Sequence, residues 1–113
     1  MSEFVENLHE VFEQFGPIRT RRMFGGHGIY HGDLMFGLVA DEELYLKADA
    51  DSAHWFEAEG LGQFEYNKSG KVVLMSYYQA PEKIFDDPQA ARLWAERAYH
   101  AALRSGTPKR KKR

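Results

Sequence analysis

The residues of this chain best suited to chemistry stand together in Arg21-Arg22-Met23-Phe24-Gly25-Gly26-His27-Gly28-Ile29-Tyr30. Two guanidiniums precede three glycines within four residues, with a histidine among them. Glycines so placed can turn backbone N–H groups toward a phosphate or another anion, and the arginines would add charge. A phosphate loop, however, opens directly into a helix or carries a Walker lysine with its serine or threonine. Here Ile29-Tyr30-His31-Gly32-Asp33-Leu34-Met35-Phe36 reads as strand, turn and strand, and the spacing of a dinucleotide fingerprint is missing. Two readings stay open: a backbone nest for an anion, and a tight turn or bulge that needs glycine on backbone grounds alone.

Metal binding and nucleophilic catalysis are the other chemistries the residue types allow. His27, His31 and Asp33 are N/O ligands, and His54 could join them in space. A separation of four puts His27 and His31 on one strand face, Asp33 falls in a turn, and no fourth ligand is indicated, so no metal is expected. The candidate nucleophiles Ser2, Ser52, Ser69, Ser76 and Ser105 lie in no nucleophile elbow and pair with no histidine at a telling distance. Asp86-Asp87 and Glu42-Glu43 stand where a helix start and a turn would put them anyway. A non-enzymatic protein without a cofactor is the expectation.

The aromatics are distributed more tellingly. Tyr30, Phe36, Tyr45, Phe64, Tyr66, Tyr77 and Tyr78 all fall on expected strands. An exposed aromatic sheet face would resemble a platform for single-stranded nucleic acid. Basic residues do not alternate with these rings, and most are flanked by acidic or neutral positions, so core burial is the expected fate of most of them.

The elements that must position these residues follow from periodicity. Phe4, Val5, Leu8, Val11, Phe12 and Phe15 recur at helical spacing over residues 3–15, opposite Glu6, Glu10 and Glu13, with Ser2 as N-cap and Gly16-Pro17 as stop. Strands are expected at Arg19 to Phe24, Gly28 to His31, Leu34 to Ala40 and Leu44 to Ala48, with connections too short for crossover helices and therefore antiparallel. A short helix capped by Asp51 or Ser52 runs to about Glu59 and ends at Gly60. Phe64 to Tyr66 and Lys71 to Tyr78 form a hairpin through Asn67-Lys68-Ser69-Gly70, and the second strand is apolar on both faces, as a covered interior strand is. Pro81 to Phe85 suits one helical turn, and a last helix runs from Asp87-Pro88 to about Arg104, with Ala91, Trp94, Ala95, Ala98 and Ala102 facing a sheet. The expectation is a single α+β domain of antiparallel-rich sheet, in the order α-β-β-β-β-α-β-β-α, over residues 1–106.

Composition agrees with one globular domain: 113 residues, 43% apolar, with eight Phe, six Tyr and two Trp. The absence of cysteine removes disulfides, thiolate zinc sites and thiol nucleophiles, and fits a reducing compartment. An acidic N-terminus unlike a secretory signal, and no apolar run approaching the roughly 18 residues of a membrane span, lead to a cytoplasmic expectation. The net charge of -2 conceals an asymmetry, because five of the fifteen basic residues are the last five. With Lys109, Arg110, Lys111, Lys112 and Arg113, residues 107–113 are expected to be a basic, disordered tail behind a body with ten basic and seventeen acidic side chains. The tail can touch nucleic-acid phosphates, remain a solvated end, or fold back on the acidic body.

Arg21-Arg22-Met23-Phe24-Gly25-Gly26-x-Gly28-Ile29-Tyr30 resembles the signature of the TfoX/Sxy N-terminal domain family. So do Phe36-Gly37-Leu38, Leu44-Tyr45-Leu46-Lys47, Phe64, Met75-Ser76-Tyr77 and the Trp94–Ala98 helix, in that order, so that the resemblance reaches from the first helix to about residue 104. It implies a fold similar to the type III secretion chaperones and, in longer members, regulation of natural competence genes together with a cyclic-AMP receptor protein at promoters. Those members carry a helical C-terminal domain beyond the region resembled here. The functional expectation is a regulatory or adaptor domain, monomeric or homodimeric, that binds a transcription-associated protein. Arg21 and Arg22 would make charge-assisted contacts, while Gly25, Gly26, Gly28 and Tyr30 shape the surface that presents them. Small-anion or nucleotide binding at the same residues, and nucleic-acid binding through the tail, are the alternatives.

Overall fold

The computed structural model describes residues 3–23, 25–68 and 70–106. The elements run α1 (Glu3–Val11), β1 (Arg19–Met23), β2 (Gly26–His31), β3 (Leu34–Ala40), β4 (Glu43–Lys47), α2 (Ala53–Ala58), β5 (Gln63–Lys68), β6 (Lys71–Gln79), a 3₁₀ turn (Glu82–Phe85) and α3 (Pro88–Gly106). All strand pairs are antiparallel, in one sheet of order β1-β2-β3-β4-β6-β5. This is the α+β arrangement and element order that periodicity indicates.

One core holds the helices to one face of the sheet. Val5, Leu8 and Phe12 from the first helical segment, Phe56 of α2, Ile84 of the 3₁₀ turn, and Ala91, Trp94, Ala95 and Ala98 of α3 bury against Ile29, Val39, Leu44 and Leu46 of the strands. The small residues of α3 let its backbone approach the sheet closely, and Trp94 meets Phe56 edge-on at 5.0 Å. Asp87 caps α3, its Oδ1 accepting from the backbone N–H groups of Gln89 and Ala90 at 3.0 and 3.2 Å.

Two local departures from simple periodicity shape the sheet. α1 ends at Val11, and Phe12 to Phe15 form turns in which the Phe12 carbonyl accepts from both Phe15 N–H and Gly16 N–H. Gly16, at φ +144°, and Pro17 then lead the chain into β1. In β3 a bulge leaves Phe36 outside the register, since Ile29 pairs with Gly37 while Tyr30 pairs with Met35. Phe36 is thereby aimed into the core, 5.6 Å from the Phe12 ring, and Met35 and Leu38 come to share the opposite face.

β2 begins at Gly26, two residues before the expected start, so most of the glycine run is strand. Gly25 alone keeps a turn conformation, at φ +76°. Gly26 and Gly28 are buried strand positions. A Cβ at Gly26 would fall on the Val39 carbonyl oxygen, and one at Gly28 would lie 2.7 Å from the Met35 sulfur and 2.9 Å from that of Met23.

A clasp that periodicity does not reveal ties the end of α3 to the loop before α2. The Asp49 carboxylate accepts from Arg104 Nε at 2.6 Å and from its Nη2 at 3.0 Å. It also accepts from the backbone N–H groups of Asp51 and Ser52, and Ser52 is fully buried. The Arg104 hydrogen bonds hold the Asp49 pKa down at about 2.

Candidate functional site

The sheet face turned away from the helices gathers much of the chemistry of the opening motif. Pairing fixes which side chains share it, because directly opposed residues point the same way. Arg19, Arg21 and Met23 oppose Tyr30, Gly28 and Gly26, while Leu38 opposes both Gly28 and Tyr45. Tyr45 opposes Gln79, and Lys47 opposes Tyr77. Among the described residues no helix residue lies in this layer; the helical core sits on the other side.

This face has a small apolar centre of its own. Leu38 and Tyr77 are only 5% and 6% exposed without belonging to the helix-packed core. Met23, Met35 and the Tyr30 ring close over Gly28, where the missing side chain leaves room for two thioethers. Tyr45 and Phe64 meet at 4.7 Å, edge to face. Met23, Tyr30, Met35, Tyr45 and Phe64 are all half-buried, so they present an apolar surface to solvent. Burial, with Tyr30 nearby, pushes the Tyr77 hydroxyl up to about 12, so this tyrosine stays neutral across the physiological range.

Cations border the apolar centre. Arg19 lies 5.8 Å from the Tyr30 ring centroid and donates from Nη2 to the Gly32 carbonyl at 3.0 Å. Lys47 lies 5.2 Å from the Tyr77 ring and donates to Ser76 Oγ at 2.7 Å. Arg21 is exposed and, among the described residues, has no carboxylate partner; the same holds for Arg22. The other described arginines are engaged: Arg19 with Asp33, Arg92 with Glu96, Arg97 over Trp55 and Trp94, and Arg104 with Asp49. Carboxylates border the face as well: Glu43 accepts a hydrogen bond from Gln79 Nε2, Asp33 lies 4.0 Å from Arg19 Nη2, and burial, then Glu43 and Asp41, push the Tyr45 hydroxyl pKa up.

The motif residues are therefore divided. Arg21, Gly26, Gly28 and Tyr30 serve the helix-free face, whereas Arg22 pairs with His27 on the side of Ile29. The two guanidiniums point to opposite faces of an edge strand and do not converge on one anion. Gly28 occupies a ladder position against both β1 and β3, and Gly26 pairs with Met23 of β1 and lies close to the Val39 carbonyl, so their backbone forms no concave nest. His31 packs between Phe15 and Tyr99 at 4.7 and 5.1 Å, with Nδ1 2.8 Å from the Pro17 carbonyl, and His54 stacks on Trp55. The described residues hold no group of three or more metal-ligating side chains. Lys109, Arg110, Lys111, Lys112 and Arg113 lie outside the described residues, as do Phe24 and Ser69.

The grouping of the aromatics departs from the sequence expectation. Phe36 goes to the core, but Tyr30, Tyr45, Phe64 and Tyr77 form the second apolar layer. The bulge at Phe36 and the long-range pairing of β4 with β6 bring this about, and neither is visible in local alternation.

Fold and face together define a small α+β domain with helices on one side and an apolar, cation-bordered sheet on the other. The profile of the TfoX N-terminal domain matches residues 10–102, and the chain belongs to that family. It is 30% identical over 93 residues to the DNA transformation protein TfoX1 of Aliivibrio fischeri (strain ATCC 700601 / ES114), covering 82% of this chain and 44% of that protein. It is 32% identical over 76 residues to the protein Sxy of Escherichia coli (strain K12), covering 67% of this chain and 36% of that one. The chain thus spans less than half the length of these curated relatives.

Proposed function

We propose that this chain is a non-enzymatic regulatory domain, linked to DNA transformation, that works by binding a protein partner through the helix-free face of its sheet. The observation that carries this reading is the exposed Arg21, without a carboxylate partner among the described residues, beside a layer of half-buried methionine and aromatic side chains. Methionine-rich apolar surfaces adapt to a partner's shape, and an arginine at the border adds directional contacts. Membership of the TfoX N-terminal domain family, and a relative named as a DNA transformation protein, support the regulatory role. The partner class is transcription-associated, a cyclic-AMP receptor-type activator being the first candidate, and the setting is the cytoplasm. Arg21 and Tyr30 contact the partner, while Gly25, Gly26 and Gly28 shape the surface.

Affinity capture from the native cell extract tests this, with Arg21→Ala and Arg22→Ala beside the unaltered chain. Both variants should keep the melting temperature within about 2 °C, because surface changes away from packed groups cost little. Arg21→Ala should lose most of the captured protein and Arg22→Ala much less. Equal capture by all three chains, or unfolding of Arg21→Ala, would remove the reading.

A further inference from the structure

We infer that a cleft between α1, the 3₁₀ turn and the start of β4 receives residues 109–113 of a second copy of this chain, so that copies associate head to tail. This contact is independent of the protein-binding reading of the helix-free face. The cleft has a volume of about 370 Å³. Buried Leu44 and Ala80 line it with half-buried Phe4 and Phe85, whose ring centroids lie 5.8 Å apart. Glu42, Glu43, Glu82 and Asp86 bring four carboxylates to the same lining. An adjoining depression that shares Phe4 adds Glu3 and Glu6, and another that shares Phe85 and Asp86 adds Glu10. Seven carboxylates thus border one continuous groove, and no Lys, Arg or His lines any part of it. The described ion pairs take Asp33, Asp49, Asp51, Glu59 and Glu96, and none of these seven. Lys83, the neighbour of Glu82 in sequence, turns instead to Glu59 at 3.2 Å.

A groove with this charge and an aromatic lining complements a run of cations with long apolar stems. The chain supplies such a run in residues 109–113, Lys-Arg-Lys-Lys-Arg. The acidic pair nearest to the end of α3 is already engaged, because Arg104 Nε lies 2.6 Å from Asp49 and 3.6 Å from Asp51. Reach decides whose groove the run occupies. Pro88 borders the groove, and from there the 19 residues of α3 carry the chain about 27 Å away at 1.5 Å per residue. Residues 107–113 extend at most about 24 Å, so the run does not lie along the main cleft of its own copy. A second copy presents its run without that limit, and the contact joins two different surfaces, as head-to-tail association does.

The test is a nuclear magnetic resonance titration between two forms of the full chain. The ¹⁵N-labelled form carries Lys109→Gln, Arg110→Gln, Lys111→Gln, Lys112→Gln and Arg113→Gln, and the unlabelled form is unaltered. Adding the unlabelled chain should shift the amide signals of Phe4, Glu42, Glu82 and Asp86 saturably, and salt should weaken the effect. Glu82→Lys with Asp86→Lys in the labelled chain should reduce the affinity about tenfold, whereas Glu65→Lys on β5 should stay within about threefold. Melting curves establish that each variant is folded. An unlabelled chain that also carries the five glutamines should shift nothing. The inference is overturned if no signal moves up to about 1 mM added chain, or if the glutamine-bearing titrant acts alike. Shifts confined to the Asp49–Asp51 loop or to the helix-free face would overturn it as well. So would groove signals of the labelled unaltered chain that differ from those of the glutamine form equally at every concentration, since the run would then occupy its own copy.

Discussion

At the scale of single residues, the glycine run has three separate causes. Gly25 answers to a left-handed turn, Gly26 to the Val39 carbonyl oxygen of the neighbouring strand, and Gly28 to the thioethers of Met23 and Met35. Alanine substitutions should separate them in denaturant melts. Gly26→Ala meets backbone, which cannot yield locally, and should cost about 2–4 kcal/mol. Gly25→Ala should cost about 1 kcal/mol for the positive φ alone. Gly28→Ala, facing flexible side chains, should also cost about 1 kcal/mol, and it should alter the helix-free face as well. If Gly26→Ala proves the mildest of the three, the close approach to Val39 is not what requires glycine there. The need for glycine was legible in the sequence, because glycine in a strand calls for a reason. The reasons themselves were not, since Met35 and Val39 reach these glycines only through the pairing of β2 with β3.

At the scale of elements, the type and order of the helices and strands were legible because each has a strong local period, while β2 starts two residues earlier than expected and β5 runs Gln63–Lys68 where Phe64 to Tyr66 was expected. Leu34–Ala40 and the start of α3 at Pro88 coincide with the sequence reading. The early end of α1, the bulge at Phe36 and the Asp49–Arg104 clasp were not, because each depends on a contact distant in sequence. The clasp makes a pH prediction. Asp49 titrates at about 2 in the folded chain, below the usual 3.8, so its contribution is fully present above pH 4 and is lost as pH falls toward 2. Asp49→Asn should lower stability at neutral pH by about 1–2 kcal/mol, a figure reduced for the partial exposure of Arg104. It should also flatten the stability profile between pH 4 and 2. An unchanged acid limb in that variant would show that the clasp contributes nothing to folding.

At the scale of the whole molecule, the sheet separates two apolar layers with different roles. The helix-side layer, built on Phe12, Ile29, Phe36, Phe56 and Trp94, is the core that makes the fold. The other layer is largely half-buried and bordered by charged side chains, and is the surface proposed to bind a partner. The sequence displayed the aromatics and arginines that supply it, yet could not assign Arg21 and Arg22 to opposite faces without the register of β1 against β2. Site-specific photo-crosslinking in living cells would show directly whether the helix-free face meets a protein. A photoreactive phenylalanine analogue would stand at Tyr30 or Phe64 on the helix-free face and, as the control, at the exposed Leu93 of α3. If the helix-free face binds a protein, discrete adducts form from Tyr30 and Phe64, are lost when Arg21→Glu is added, and do not form from Leu93. Adducts from Leu93 alone, or none from the sheet positions, would contradict it.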